Sequence, residues 1–202
     1  MIKTFSWKEN DVYFVPVTES VSTVIQLYKK PYVIIFNEFR ENSLDDWQNV
    51  DLNEIKMIRV IRVLHVGVKY ITQEKIKRNI TPVREVKLPT LFIQKDHRKW
   101  MNDAKLSYDL VYIDPEKGDQ GMNNEVVEAD ILGKKTWKEI EKYELANYHV
   151  DYDLMRRLYL SSTIRFGIDP WHYYFLKGED VFPAKNYEEF ISLGGIPYKE
   201  KD

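Results

Sequence analysis

The short connection between two apolar segments constrains the fold of this chain more than any other feature. Residues 21–28 and 32–39 are rich in β-branched and aromatic side chains, and only Lys29, Lys30 and Pro31 separate them. A connection of this length joins antiparallel neighbours, because parallel strands need a crossover of about a dozen residues or more. The sequence therefore predicts a β-hairpin within an antiparallel sheet.

Further strands are predicted on both sides of this hairpin. Residues 11–17 form a β-rich run in which Pro16 favours either an edge strand or the last residues of a strand. Residues 56–68 are apolar with imperfect alternation, which indicates a strand with two apolar faces or one that bends near Gly67. Two shorter candidates follow, at residues 91–94 and 108–113.

Helical patterns concentrate later in the chain. Residues 72–78 are compatible with one or two helical turns, and residues 136–148 carry an apolar stripe that begins with the capping-box pair Thr136 and Glu139. Two more helices are predicted, one capped by Asp151 and running to about Ser161, and one over residues 186–193. The order predicts an α+β fold with a mostly antiparallel β-sheet in the N-terminal half, covered on one face, and helices concentrated in the C-terminal half.

Length predicts one domain over residues 1–202, with a β-rich region at residues 1–113, a polar loop at residues 114–125 and a helix-rich region at residues 126–202. The longest apolar stretch, residues 32–36, is far shorter than the roughly 20 residues that span a bilayer. The first residues also lack a signal-peptide pattern. We therefore expect a soluble, cytoplasmic protein that does not bind membranes.

The scarcity of reactive side chains argues against catalysis. The chain has no cysteine, which excludes a disulfide scaffold, a thiolate zinc site and a cysteine nucleophile. The nearest approach to a metal cluster is His149 with Asp151 and Asp153, and these two acids also suit the start of a helix. We predict no catalytic residue, no metal site and no cofactor, while a metal site assembled from scattered residues stays open.

Charge is distributed unevenly along the chain. Residues 56–106 carry 13 basic and 4 acidic side chains, a net charge of +9, whereas residues 1–55 and 107–202 carry −4 and −7. A basic segment between acidic ones is compatible with a nucleic-acid surface. We favour mutual neutralisation of neighbouring segments, because dedicated nucleic-acid domains are usually basic as a whole and this chain has a net charge of −2.

An aromatic cluster at residues 167–176 has two interpretations. Core packing is the leading one, for His172 in particular. The alternative is a contact surface for a partner, because Trp and Tyr are frequent anchors of protein interfaces and acidic residues follow the cluster closely. If the cluster is a recognition surface, its partner is basic, such as a nuclease toxin, and the contact residues are Trp171, His172, Tyr173, Glu179 and Asp180.

Three segments resemble a bacterial polymorphic-toxin immunity family, the one numbered twenty-six. Residues 7–17 resemble its opening strand, residues 56–66 its long apolar strand, and residues 88–96 its Leu-Pro segment, in the same order over residues 7–96. Asn10 stands where members usually have glycine. The resemblance implies a mostly-β core and neutralisation of a toxin by direct binding, with no catalytic residues.

The expected function is therefore a non-catalytic immunity protein whose partner is a cognate bacterial toxin. Two alternatives stay open. One is a metal-assisted, phosphotriesterase-like hydrolase, since the same family label has been attached to such enzymes. The other is a nucleic-acid or phage-defence interaction module that uses the basic middle segment. The sequence leaves the oligomeric state and the identity of the toxin undetermined.

Overall fold

The predicted hairpin lies within the larger of two sheets. The computed structural model describes residues 5–41, 43–55, 57–77, 86–103, 106–146, 151–163, 172 and 176–178. The chain divides into two compact units. Unit 1 comprises residues 1–86, 148–171 and 181–202, and unit 2 comprises residues 87–147 and 172–180. The prediction of one domain is untested by this division and stays a prediction.

Unit 1 contains a six-stranded antiparallel sheet in the order β5-β3-β2-β1-β6, with β4 also paired to β2. Its strands are β1 (Val12–Pro16), β2 (Val21–Leu27), β3 (Tyr32–Phe36), β4 (Arg40–Glu41), β5 (Met57–Arg62) and β6 (Glu74–Lys77). The hairpin is confirmed, since β2 and β3 pair antiparallel with Ile25 opposite Ile35. Pro16 is the last residue of β1, which lies between β2 and β6.

Both faces of the central strands are covered. Every residue of β1 and β3 is buried, so the expectation of a sheet covered on one face is wrong. On one face, β-strand residues such as Phe14 and Phe36 form a core cluster with Trp47 of helix α1 (Leu44–Gln48) and with residues of the following turn. On the other, the Phe5 ring lies 5.3 Å from that of Tyr13 and 4.9 Å from that of His65.

The segment 56–68 divides into a strand and a helix. β5 ends at Arg62 and helix α2 (His65–Ile71) begins three residues later, so the predicted continuation of the strand to Val68 is wrong. Side chains spaced three or four residues apart share one helix face. In residues 56–68 the many β-branched side chains, which favour strands, obscured this helical period. The buried positions of α2 follow this helical period, at residues 67, 68 and 71.

The predicted helix at residues 72–78 is also wrong. Thr72 ends α2 by donating its hydroxyl to the carbonyl of Val68, and the chain then forms β6. β6 pairs antiparallel with β1, with Tyr13 opposite Lys75. Pairing with the edge of β1 overrides a local pattern of polar residues that is compatible with a helix.

The helix predicted to follow a cap at Asp151 is present as α6 (Asp151–Thr163), which includes Asp151 as its first residue and contacts α2 within unit 1. Its buried side chains include Leu154, Met155 and Leu158. The predicted helix at residues 186–193 lies outside the described residues. No helix in the described regions of the chain combines the length and the apolar character that a bilayer span needs.

Unit 2 contains a smaller sheet in the order β10-β7-β8-β9. Its elements are β7 (Leu91–Lys95), α3 (His97–Asp103), β8 (Tyr108–Tyr112), a 3₁₀ turn (Gly121–Asn123), β9 (Glu125–Glu128), α4 (Ile131–Lys134), α5 (Trp137–Ile140) and β10 (Glu144–Leu145). The two strands predicted in this region are confirmed, and β7 pairs antiparallel with β8. The α+β class is likewise confirmed.

The helix predicted over residues 136–148 is shorter than expected. Thr136 and Glu139 form the predicted capping box, but α5 ends at Ile140. The chain then forms β10, which pairs parallel with β7 and places Leu145 opposite Ile93. The apolar stripe predicted a helix that continues to residue 148. The pairing of β10 with β7 ends the helix earlier than this local pattern predicts.

Candidate functional site

The predicted contact residues lie mostly beyond the described residues. Trp171, Tyr173, Glu179 and Asp180 fall there, and their role stays a prediction. His172 has no exposed surface, and its ring lies 5.5 Å from the ring of Trp137 at an edge-on angle of 61°. A side chain so packed fits the core interpretation of this histidine better than contact with a partner.

The other histidines do not assemble a reactive centre in the described regions of the chain. His65 lies against Phe5 and Trp7, and burial together with the charges of Lys30 and Lys69 lowers its pKa. His97 begins α3, and His149 is not described. Among the described residues, no group of three or more His, Cys, Asp or Glu side chains could hold a metal ion.

Three large apolar side chains are exposed close together at β9. Met122 is 59% exposed, Val126 51% and Val127 52%. Exposed apolar residues that occur singly are ordinary, whereas a group of them can indicate an interaction site. These three lie within six consecutive residues, between the 3₁₀ turn and the end of β9.

The geometry of β9 explains why the valines remain exposed. Among the described residues β9 pairs with β8 alone, so it is an edge strand. Val126 lies opposite Val111 and Glu128 opposite Leu110, which leaves Val127 as the additional residue of a β-bulge. A bulge interrupts the ladder and redirects side chains. The edge position and the bulge together keep both valines out of the core.

A hydrogen-bond network holds the turn that carries Met122. The Asn124 amide, 8% exposed, donates to Oε1 of Gln94 at 2.9 Å and to Oδ1 of Asp119 at 2.6 Å. Its oxygen accepts from the backbone N–H of Gln120 at 2.8 Å. Gln94 in turn donates to the carbonyl of Gly121 at 2.9 Å. These bonds hold the backbone on both sides of the exposed methionine in place.

A cleft of about 430 Å³ adjoins these side chains. Gln94 lies opposite Asp109, and Val111 lies opposite Val126. In-register partners on neighbouring strands share a face of a sheet, and the cleft lies on the face that carries these two pairs. Its lining comprises Gln94, Lys95, Asp96, His97, Arg98, Asp109, Val111, Met122, Asn123, Asn124 and Val126. We call Met122, Glu125, Val126, Val127 and Glu128, together with this cleft, the β9 surface.

The charged side chains that line the cleft balance one another, since Lys95 and Arg98 lie beside Asp96 and Asp109. Asp96 accepts the backbone N–H groups of Arg98 and Lys99 at 3.0 and 3.1 Å, and Asp109 accepts that of Asp130 at 2.9 Å. The acids of β9 lie outside the cleft: Glu125 and Glu128 are opposite Tyr112 and Leu110, on the other face of the strand from Val126.

A second cleft, of about 420 Å³, lies in unit 1. Glu38, Asp46, Asp51 and Glu54 line it together with Arg40. The guanidinium of Arg40 donates to Glu38 at 3.1 Å and lies 5.1 Å from the centre of the Trp47 ring. The acids of this cleft already have a cation of the same chain among them.

Sequence reasoning did not identify the β9 surface. It described residues 114–125 only as a polar loop and placed the partner contacts at the aromatic cluster. The available signal was a pair of valines between two glutamates directly after that loop, a pattern of an edge strand guarded by charge. Whether such valines are buried or exposed depends on the strands beside them, which the local pattern does not contain.

Comparison with known proteins places the chain in a family. No curated protein and no solved structure matches it significantly. A family model matches residues 2–183, which is 182 of the 202 residues. That family is described as a domain of unknown function, DUF8309, and this chain belongs to it.

Proposed function

We propose that this chain is a non-catalytic protein of the cytoplasm that binds a cognate bacterial toxin and neutralises it. One observation carries the protein-binding aspect of the proposal: Met122, Val126 and Val127 are each more than half exposed within six consecutive residues at the edge of the unit 2 sheet. The toxin as partner rests on the resemblance of residues 7–96 to an immunity family.

The β9 surface has the make-up of an interface centre. Apolar side chains stand at its middle, a cleft offers room for one or two side chains of a partner, and charged residues surround both. Stable interfaces bury about 1,200–2,000 Å² in total, and a few central residues supply most of the binding energy. A toxin held over this surface would be neutralised by occlusion, which requires no reaction in this chain.

The experiment is co-purification of the tagged chain from its native host, followed by rescue of cells that express the captured protein. Val126→Ser removes a central apolar contact without changing charge. Val66→Ser is the matched control, because Val66 is the same residue type and similarly exposed, at 55%, in unit 1. We expect Val126→Ser to weaken capture by about three- to tenfold, because burying the exposed half of a valine side chain contributes about 1 kcal/mol, and Val66→Ser to leave it unchanged.

Two results would contradict the proposal in different ways. Growth arrest that persists while the soluble wild-type chain is present would reject immunity against that toxin. Equal capture by Val126→Ser and Val66→Ser would reject the β9 surface as the contact. Circular dichroism of both variants checks that each retains the wild-type fold.

A further inference from the structure

The β9 surface also indicates the chemistry of the segment that it binds. We propose that it receives an extended, basic segment of the partner protein, with an apolar side chain in the cleft and Lys or Arg side chains against the acids of β9. This inference rests on the proposed protein-binding function and adds a binding mode and a sequence preference to it.

The apolar side of the argument comes from the cleft wall. Val111 is only 2% exposed, and Val126 lies directly opposite it on the neighbouring strand. Met122 lines the same cleft from the 3₁₀ turn. An apolar side chain entering between these residues would lose water-exposed surface together with Met122 and Val126, which is the main driving force of association.

The charge preference comes from the glutamates at the two ends of β9. Glu125 is exposed, and Glu128 lies 2.9 Å from the ammonium of Lys135. Residues 114–130 have a net charge of −5, which becomes −3 when Lys135 and Lys99, the partners of Glu128 and Asp130, are counted. The β7 side of the cleft adds no net charge, because Lys95 and Arg98 stand beside Asp96 and Asp109. A basic segment therefore meets opposite charge along β9, and an acidic one meets like charge.

A second copy of the chain does not fit this edge. Antiparallel pairing of two β9 strands would bring Glu125 of one copy opposite Glu128 of the other, and like charges directly opposite each other are destabilising. Nucleic acid is disfavoured too, because its phosphates would face the same carboxylates.

The probes are three synthetic peptides that share an isoleucine–valine–isoleucine centre and differ only in flanking residues, which are lysine, glutamate or serine. Each is titrated into the ¹⁵N-labelled full chain at low salt, and a single-stranded oligonucleotide serves as a fourth probe. We expect the lysine peptide to shift the amide resonances of Met122, Val126 and Val127, with affinity at least about tenfold above that of the glutamate peptide. Its affinity falls as salt is added, because the ion pairs lie at the surface.

A pair of charge reversals provides the second measurement. Glu125→Lys should lower the affinity for the lysine peptide by about three- to tenfold, since one exposed attraction becomes a repulsion. Glu9→Lys is the control, because Glu9 is also exposed and lies in unit 1. Equal effects of the two variants, equal binding of all three peptides, shifts away from the β9 surface, or preferential binding of the oligonucleotide would each overturn the inference.

The outcome is separable from that of the proposed function. If the lysine peptide binds at β9 but no captured toxin is neutralised, the surface inference stands and immunity fails. If a toxin is neutralised and its binding is unchanged by Glu125→Lys, immunity stands and the surface inference fails.

Discussion

Replacement of Lys75 by methionine tests a largely buried ion pair of unit 1. Asp11, just before β1, is 3% exposed, and its carboxylate accepts a hydrogen bond from the ammonium of Lys75 on β6. That ammonium also lies 5.4 Å from the centre of the Tyr13 ring. The contact ties the edge strand β6 to β1. Lys75→Met keeps most of the apolar stem and removes the charge.

The expected loss of stability is about 2 kcal/mol. Removing one partner of a fully buried ion pair costs about 3–5 kcal/mol, because the other charge stays desolvated. The side chain of Asp11 is 4% exposed, but that of Lys75 is 24% exposed, so water screens some of the interaction and lowers the cost. Adding Asp11→Asn to Lys75→Met should restore about 1 kcal/mol, since no buried charge is then left behind.

The same cluster predicts how stability depends on pH. Burial raises the pKa of Tyr13 above 10.0, its ordinary value. Burial alone would lower the pKa of Lys75, but its hydrogen bonds to Asp11 and Tyr13 outweigh this and raise the pKa above 10.5. Both groups hold their protons more tightly in the folded state, so their stabilisation is complete below about pH 10 and is lost as the pH rises through the folded pKa values.

Urea unfolding, followed by tryptophan fluorescence, measures both effects. Lys8→Met is the control, because Lys8 is exposed in the same unit. A loss below about 0.5 kcal/mol for Lys75→Met, or costs of the two single variants that simply add in the double variant, would refute the reasoning. The decline above pH 10 should be shallower in the Tyr13→Phe, Lys75→Met double variant, and an unchanged slope would refute the pH argument.

Three further perturbations test local structure. Trp47→Ala should cost about 3–5 kcal/mol in urea unfolding, because Trp47 is fully buried and its indole N–H donates to Ser22 at 2.8 Å; a loss below about 1 kcal/mol would contradict this. Asn10 has φ 67°, so Asn10→Gly should be neutral or stabilising by up to about 1 kcal/mol, whereas Asn10→Val should cost about 1–2 kcal/mol in the same assay. The backbone and hydroxyl hydrogen bonds from Thr136 lower the pKa of Glu139 below 4.5, so the cap is present above that pH and is lost as the pH falls through the folded pKa. The protection of the Thr136 amide, taken relative to the intrinsic exchange rate at each pH, should fall on acidification, and Glu139→Gln should remove that pH dependence.

The position of Asn10 also connects sequence and structure. The backbone there adopts the left-handed region that favours glycine, with φ 67°. Asparagine is the side chain that tolerates this region best after glycine. Asparagine therefore suits the turn before β1, in which the Asp11 N–H donates to the Lys8 carbonyl at 3.3 Å, while the Asn10 N–H donates to the carbonyl of Leu27 in β2 at 2.8 Å.

Elements whose signals are local could be predicted from the sequence. The hairpin around Pro31 follows from two strand-like segments and a connection too short for any other arrangement. The capping box of α5 likewise depends on two residues three positions apart. The strand β6 could not be predicted in this way, because its polar pattern is compatible with a helix until β1 offers an edge for pairing.

The β9 surface was also not predicted, because it too depends on the neighbouring strands and not on the local sequence. Two adjacent valines in a short strand usually indicate burial, and their exposure follows from the edge position and the bulge opposite Val111. Neither feature is contained in the sequence of β9 itself. The aromatic cluster, in contrast, is conspicuous in the sequence, yet its one described contact residue, His172, is buried.

The glutamates that flank the β9 valines have two roles, which are to oppose self-association and to attract a partner. An exposed apolar edge promotes aggregation, and charged residues on the edge strand oppose it. Glu125 and Glu128 occupy that position, so they keep the free chain from pairing with its own copies through β9. The same charges attract a basic segment, and the hydrogen-bonded turn around Asn124 holds Met122 in place before binding, which reduces the entropy lost on association. The same carboxylates repel a second copy of the chain and attract a basic segment. A surface protected against self-association in this way is therefore selective for a partner of opposite charge.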